Sequence, residues 1–148
     1  MKREDFPAPV EGFVLTHFLT VKDPKRSSAF YSGILGGQVL VEGEPTLIKL
    51  VNSWIILNVG GGPTDDKPDV TLAAPSDLKN VSSFMNIRVA DIKAKYEEWR
   101  GKGANFLTPP MDRGHEIRCY MSDPDGYIIE VGEATAGMLE IFEKSGSK

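Results

Sequence analysis

The chain has a single cysteine, Cys119, among its 148 residues, so no internal disulfide can form and folding needs no oxidising compartment. It lacks a long hydrophobic run: the longest uninterrupted apolar stretch is Trp54-Ile55-Ile56-Leu57. The first residues, Met1 to Asp5, lead into Pro7 and Pro9 without an apolar segment, so neither a signal peptide nor a membrane span is expected. An excess of positive charge is missing too. Lys and Arg number 17 against 21 Asp and Glu, a net charge of -4 with the signs interspersed, which excludes the basic footprint that nucleic acid or an anionic membrane requires. With 41% apolar and 26% charged residues, the composition also excludes disorder, collagen and coiled coil. What remains is one cytoplasmic domain that meets small molecules or proteins.

What is present is a repeated pattern. Residues 13 to 21 alternate as a strand, with Phe13, Leu15, Leu19 and Val21 on one face. Asp23-Pro24 is an N-cap followed by a first helical position, because the carboxylate accepts free amides and proline has none to leave unpaired. The helix is expected to run to about Leu35, where Gly36-Gly37 ends it. Short strands follow around Val39, Leu47 to Leu50 and Trp54 to Val59. The turn-rich segment from Gly60 to Asp69 is a connector; Gly60-Gly61-Gly62 lacks the Lys-Ser/Thr of a phosphate loop.

The pattern then recurs. Phe84 to Val89 forms a strand, Asp91 caps a helix carrying Ile92, Tyr96 and Trp99, and Gly101 and Gly103 stop it. Three strands follow, at Asn105 to Leu107, Glu116 to Met121 and Tyr127 to Val131, the last two joined by an Asp123-Pro124-Asp125-Gly126 turn. Val21-Lys22-Asp23 and Val89-Ala90-Asp91 stand 68 residues apart, and Trp54 to Leu57 precede Tyr127 to Glu130 by 73. Two tandem βαβββ modules follow from this: module 1 over about 13–59, a linker over about 60–82, module 2 over about 83–132, and a helical tail at 133–148 with Met138, Leu139 and Phe142 at helical spacing.

A βαβββ pair with Asp-capped helices, Phe30-Tyr31 ahead of Leu35-Gly36, and Asp123-Pro124-Asp125-Gly126 leading to Glu130 resembles the vicinal oxygen chelate superfamily over roughly residues 13 to 132. That superfamily includes glyoxalase I, fosfomycin-resistance transferases, extradiol dioxygenases and bleomycin-binding proteins. The resemblance implies an α+β fold in which the two modules make a curved, open mixed sheet around a cavity, with helices outside, and it implies a homodimer. It leaves the reaction open among lyase or isomerase, transferase and dioxygenase chemistry, or binding alone. Metal-dependent members hold an ion at four pseudo-equivalent places. Here Glu130 fills one; the others fall on Thr16, Phe84 and Leu57. His17 lies one residue past its place, so it faces the helix side unless a bulge turns it. Glu130 and His17 are the candidate metal ligands, but one clean place of four disfavours a divalent ion.

With Glu130 taken as facing the cavity, alternation assigns the rest. Glu116, Arg118 and Tyr120 share that face on one strand, Phe84, Asn86 and Arg88 on another, and Thr16 on the first. Arg118 and Arg88 suit an anion clamp, while Asn86, Glu116, Thr16 and Phe84 are further substrate contacts. Tyr120 and Glu130 are the candidate proton donor and base. Arg118 and Glu130 also suit a cross-strand ion pair. Cys119 falls on the core face, where a thiol is inert, and His115 falls in a turn.

Overall fold

Two aspartates organise the helices as the sequence predicts. In the computed structural model, which describes residues 1–146, Asp23 Oδ1 accepts the amides of Lys25 at 3.0 Å and Arg26 at 3.4 Å, opening α1 (Pro24–Ser28). The helix continues to the expected end near Leu35, but over Ala29–Ile34 it widens into a π-turn, with the Leu35 amide bonded to the Phe30 carbonyl. Asp91 Oδ1 likewise accepts the Ala94 amide at the head of α2 (Ile92–Gly101).

The chain divides into two compact units, Met1–Ser76 and a second beginning at Asp77. The first holds β1 (His17–Thr20), β2 (Gln38–Val41), β3 (Thr46–Leu50) and β4 (Ser53–Asn58) in the order β1-β4-β3-β2. β1 runs parallel to β4 and the other pairs are antiparallel. The second unit repeats the plan with β5 (Met85–Arg88), β6 (Asn105–Phe106), β7 (Met111–Asp112), β8 (Glu116–Ser122) and β9 (Ile128–Ala134), in the order β5-β9-β8-β6, with β5 parallel to β9. β7, a two-residue strand, pairs with β8 and has no forerunner in the sequence pattern. Each unit is thus a βαβββ module with a mixed, open sheet, an α+β architecture. α3 (Ala136–Gly146) follows β9 after Thr135, and residues 147–148 of the expected tail lie outside the described residues. No described helix is long and apolar enough to cross a membrane.

The first strand is shorter than its hydrophobic pattern predicts. Phe13, Val14 and Leu15 are exposed and Thr16 precedes the strand; in the β1–β4 register β4 starts opposite Leu15, at Ser53, so Phe13 and Val14 have no ladder to join. Alternation holds elsewhere. On β8 and β9, Cys119, Met121, Ile129 and Val131 are buried on the side where α2 packs, together with Ile92 and Trp99. Each fully buried residue of this size stabilises the fold by ~1.5–3 kcal/mol. Glu133, on the same side of β9, extends to α2 and accepts the Ile92 amide at 3.0 Å, a second acidic cap on that helix.

The ladders also correct the repeat. In the first unit Phe18 pairs with Ile56; in the second Asn86 pairs with Glu130. The residue equivalent to Glu130 is therefore Ile56, not Leu57. The Trp-Ile-Ile-Leu to Tyr-Ile-Ile-Glu resemblance is out of step with the pairing by one residue, and Leu57, fully buried, lies on the core face with Ile55.

Candidate functional site

The polar face of the second sheet is assembled rung by rung. Asn86, Glu130 and Tyr120 lie opposite one another on β5, β9 and β8; Arg88, Gly132 and Arg118 form the next rung. The turn before β9 sets this register. Asp123 is buried, its Oδ1 accepts the amides of Asp125 and Tyr127, each at 2.9 Å, and Gly126 takes a positive φ of 90° where a side chain would be strained.

Within this face the charges interlock. Glu116 bridges both guanidiniums, Oε2 accepting from Arg88 Nη1 at 2.8 Å and Oε1 from Arg118 Nη1 at 3.0 Å. Arg88 Nη1 also stands 3.8 Å from Glu130 Oε1. Tyr120 donates its hydroxyl to Glu130 Oε2 at 3.2 Å. Glu130 is buried, with 6% of its surface exposed, whereas the side chains of Arg88 and Arg118 are 43% and 35% exposed. Phe84, just ahead of β5, meets the Tyr120 ring edge to face, with centroids 5.8 Å apart.

The electrostatics follow from these contacts. The hydrogen bond from Arg118, reinforced by Arg88, holds the Glu116 carboxyl below its ordinary range, and Glu116 in turn keeps Arg118 more firmly protonated. Burial, then the charge of Glu130, pushes the Tyr120 phenol up, so it stays a donor at neutral pH. On the opposite face, burial pushes the Cys119 thiol up to about 11.

Of the sequence-predicted site residues, Glu116, Arg118, Tyr120, Glu130 and Arg88 come together in one network, with Phe84 stacked on Tyr120 and Asn86 on the Glu130 rung. Thr16 and His17 belong to the first unit: Thr16 is exposed and His17 is half-buried on the same strand side as Leu19, with its imidazole pKa lowered by burial. The expected Arg118–Glu130 pair is replaced. Arg118 lies opposite Gly132 and bonds Glu116 two residues away on its own strand, while Arg88 reaches both glutamates.

Gly132 is the residue that sequence reasoning passed over. A methyl group there would overlap Arg88 Nη1 and lie 2.8 Å from Cζ, so the bare backbone is what lets Arg88 lie across β9 to Glu116. Its position two residues past Glu130, on the same strand face, was the available signal.

A divalent ion fits this donor set poorly. Both carboxylates are directed at guanidiniums or the phenol, the equivalent places carry Thr16, Phe84 and Ile56, and among the described residues no three His, Cys, Asp or Glu side chains are grouped to hold a metal.

Two tandem βαβββ modules with open mixed sheets, the second carrying a charged, aromatic-edged face, define an α+β protein of the repeated-module class. The model of the Glyoxalase/Bleomycin resistance protein/Dioxygenase superfamily matches residues 14–131, and the chain belongs to that superfamily. A lactoylglutathione lyase of Salmonella typhimurium is 30% identical, the match covering 82% of this chain and 92% of the lyase. A glyoxalase/bleomycin resistance protein/dioxygenase from Nocardioides superposes with a TM-score of 0.70 at 20% identity, covering 88% of this chain and 89% of that one. TnmS3, an antibiotic-binding protein from Streptomyces sp. CB03234, superposes at 0.61 with 15% identity, covering 86% and 99%.

Proposed function

We propose that the chain binds a small anionic molecule on the polar face of β5, β8 and β9. One observation carries this reading: Glu116 ties down Nη1 of each guanidinium, leaving the other N–H groups of the part-exposed Arg88 and Arg118 side chains available beside the buried Glu130 and half-buried Tyr120. A neutralising surface pair would leave both arginines to solvent; here they are pinned in place as a fork suited to a carboxylate or phosphonate. Tyr120 supplies a hydrogen-bond donor, and Asn86 supplies an amide on the same rung.

Binding without a metal is the reading that this donor set favours, in the manner of a sequestering protein. A glyoxalase I reaction, which the lyase relatives suggest, would need ligands that this face does not carry. Should the ligand be transformed, Tyr120 is placed to give a proton and Glu130 to take one. The reading includes a cytoplasmic homodimer.

The test is a thermal-shift screen of small carboxylates and phosphonates, followed by titration of the best binder into wild type, Arg118→Ala, Arg88→Ala and Tyr120→Phe. Loss of either guanidinium is expected to weaken binding by at least about tenfold. Unchanged affinity in all three variants would remove the site from this face.

A further inference from the structure

One side of the same face has no role in anion binding alone. Phe84 is 43% exposed, a large ring left half in water, yet it is held edge to face against Tyr120 with an interplanar angle of 89°. The Tyr120 ring is itself tethered through its hydroxyl to Glu130, so the aromatic corner is fixed before any ligand arrives. Ile128 shares this face, one rung beyond Glu130. Arg118 lies two residues from Tyr120 on β8, about 7 Å along the strand. The residue equivalent to Phe84 in the first unit, 68 positions earlier, is the small polar Thr16, so this corner belongs to the second unit alone.

An exposed aromatic corner on the strand face that also carries the part-exposed Arg118 guanidinium matches a ligand that is flat and apolar at one end and anionic at the other. We propose that the ligand is an aryl anion: a carboxylate seated on Arg118, joined by a short chain to an aromatic ring packed on Phe84 and Tyr120. This rests on the anion-binding reading above and adds the ring to it. Phe84 is then the residue that selects among anions, because a small hydrophilic acid gains the guanidinium contact but leaves the corner in water, whereas an aryl acid covers it and adds an offset or edge-to-face ring contact.

The experiment titrates three probes into the full chain by calorimetry: 3-phenylpropionate, propionate and 3-phenylpropan-1-ol. In wild type, 3-phenylpropionate should bind at least about tenfold tighter than propionate and than the alcohol, since only it engages both ends. Phe84→Ala should cut its advantage over propionate to below about threefold, and Phe84→Leu should retain part of the advantage, with thermal melts showing both variants folded. Equal affinity of the two acids in wild type, or a Phe84→Ala change that weakens both alike, would overturn the aryl assignment and leave anion binding standing. Indifference of both acids to Arg118→Ala alone would overturn the seat on Arg118 and so this assignment, while failure of both acids to bind wild type, or their indifference to Arg118→Ala, Arg88→Ala and Tyr120→Phe alike, would overturn the anion reading with it.

Discussion

Replacing Glu116 by glutamine should move stability and anion affinity in opposite directions. The side chain keeps its shape but loses the charge that two guanidiniums share, at 2.8 and 3.0 Å. Charge-assisted bonds of this kind are worth ~1.5–3 kcal/mol when fully desolvated. Here both arginine side chains are more than a third exposed, so water recovers much of that and each contact is closer to ~0.2–1 kcal/mol. Glu116→Gln is therefore expected to destabilise the fold by about 0.4–2 kcal/mol, a fall in Tm of roughly 1 to 8 °C for a chain of this size.

At the same time both guanidiniums lose their internal competitor, so affinity for small carboxylates should rise. The stabilising effect also carries a sign in pH. The folded pKa of Glu116 is depressed, chiefly by Arg118, so its contribution is fully present above the ordinary carboxyl range and is lost as pH falls through the lower folded value. Melting temperatures of wild type and variant, well separated at pH 7, should converge in acid. Thermal melts across pH, paired with calorimetric titration of the screened anion, check both halves. A variant that binds the anion more weakly than wild type would refute the reasoning, because it would mean that Glu116 aids binding by holding the two guanidiniums more than it hinders it by competing for them.

Three further outcomes are expected. Gly132→Ala should displace the Arg88 guanidinium and lower stability by about 1 kcal/mol, and a double-mutant cycle with Arg88→Ala should show most of that cost vanishing once the arginine is gone. Cys119, buried with its thiol pushed up to about 11, should resist a disulfide reagent at pH 8 in the native protein and react at once in guanidinium chloride; fast labelling of the folded chain would contradict its placement on the core face. Adding Mn, Ni or Zn to the purified chain should leave its Tm unchanged, whereas an equimolar metal that disappears with Glu130→Ala would show that the carboxylates can turn from their arginines to an ion.

The parts of the fold that the sequence discloses are those with local causes. Asp23 and Asp91 cap helices through amides two or three residues on, so both starts are visible without knowledge of the tertiary structure. The alternation Ile117, Cys119, Met121 against Glu116, Arg118, Tyr120 settles the faces of β8 because one face is apolar throughout. Errors arise where a partner decides. Phe13 and Val14 carry a strand's residues but lie beyond the start of β4, and β7 exists only because β8 offers an edge at Ile117 and Arg118. The repeat was misaligned by one residue because similarity of residue types over four positions cannot distinguish two registers, whereas hydrogen bonding can. For the same reason the candidate residues were legible and their bonds were not: which carboxylate an arginine reaches depends on the missing side chain at Gly132, a property of the neighbouring strand.

The two-sided character of β8 bears on how this protein can change over time. A deletion or insertion of a single residue between Glu116 and Ser122 would carry its charges into the core and its apolar side chains onto the polar face, so lineages altering the chemistry of this face must do so by substitution. The connectors have no such restriction. The stretch after β4, where Gly61 and Leu72 form an isolated bridge around an exposed turn, can gain or lose residues without inverting any face. Length variation among descendants of this chain should therefore gather in the connectors, while chemical variation gathers at alternate positions of β5, β8 and β9, each module drifting in size and function through different kinds of mutation.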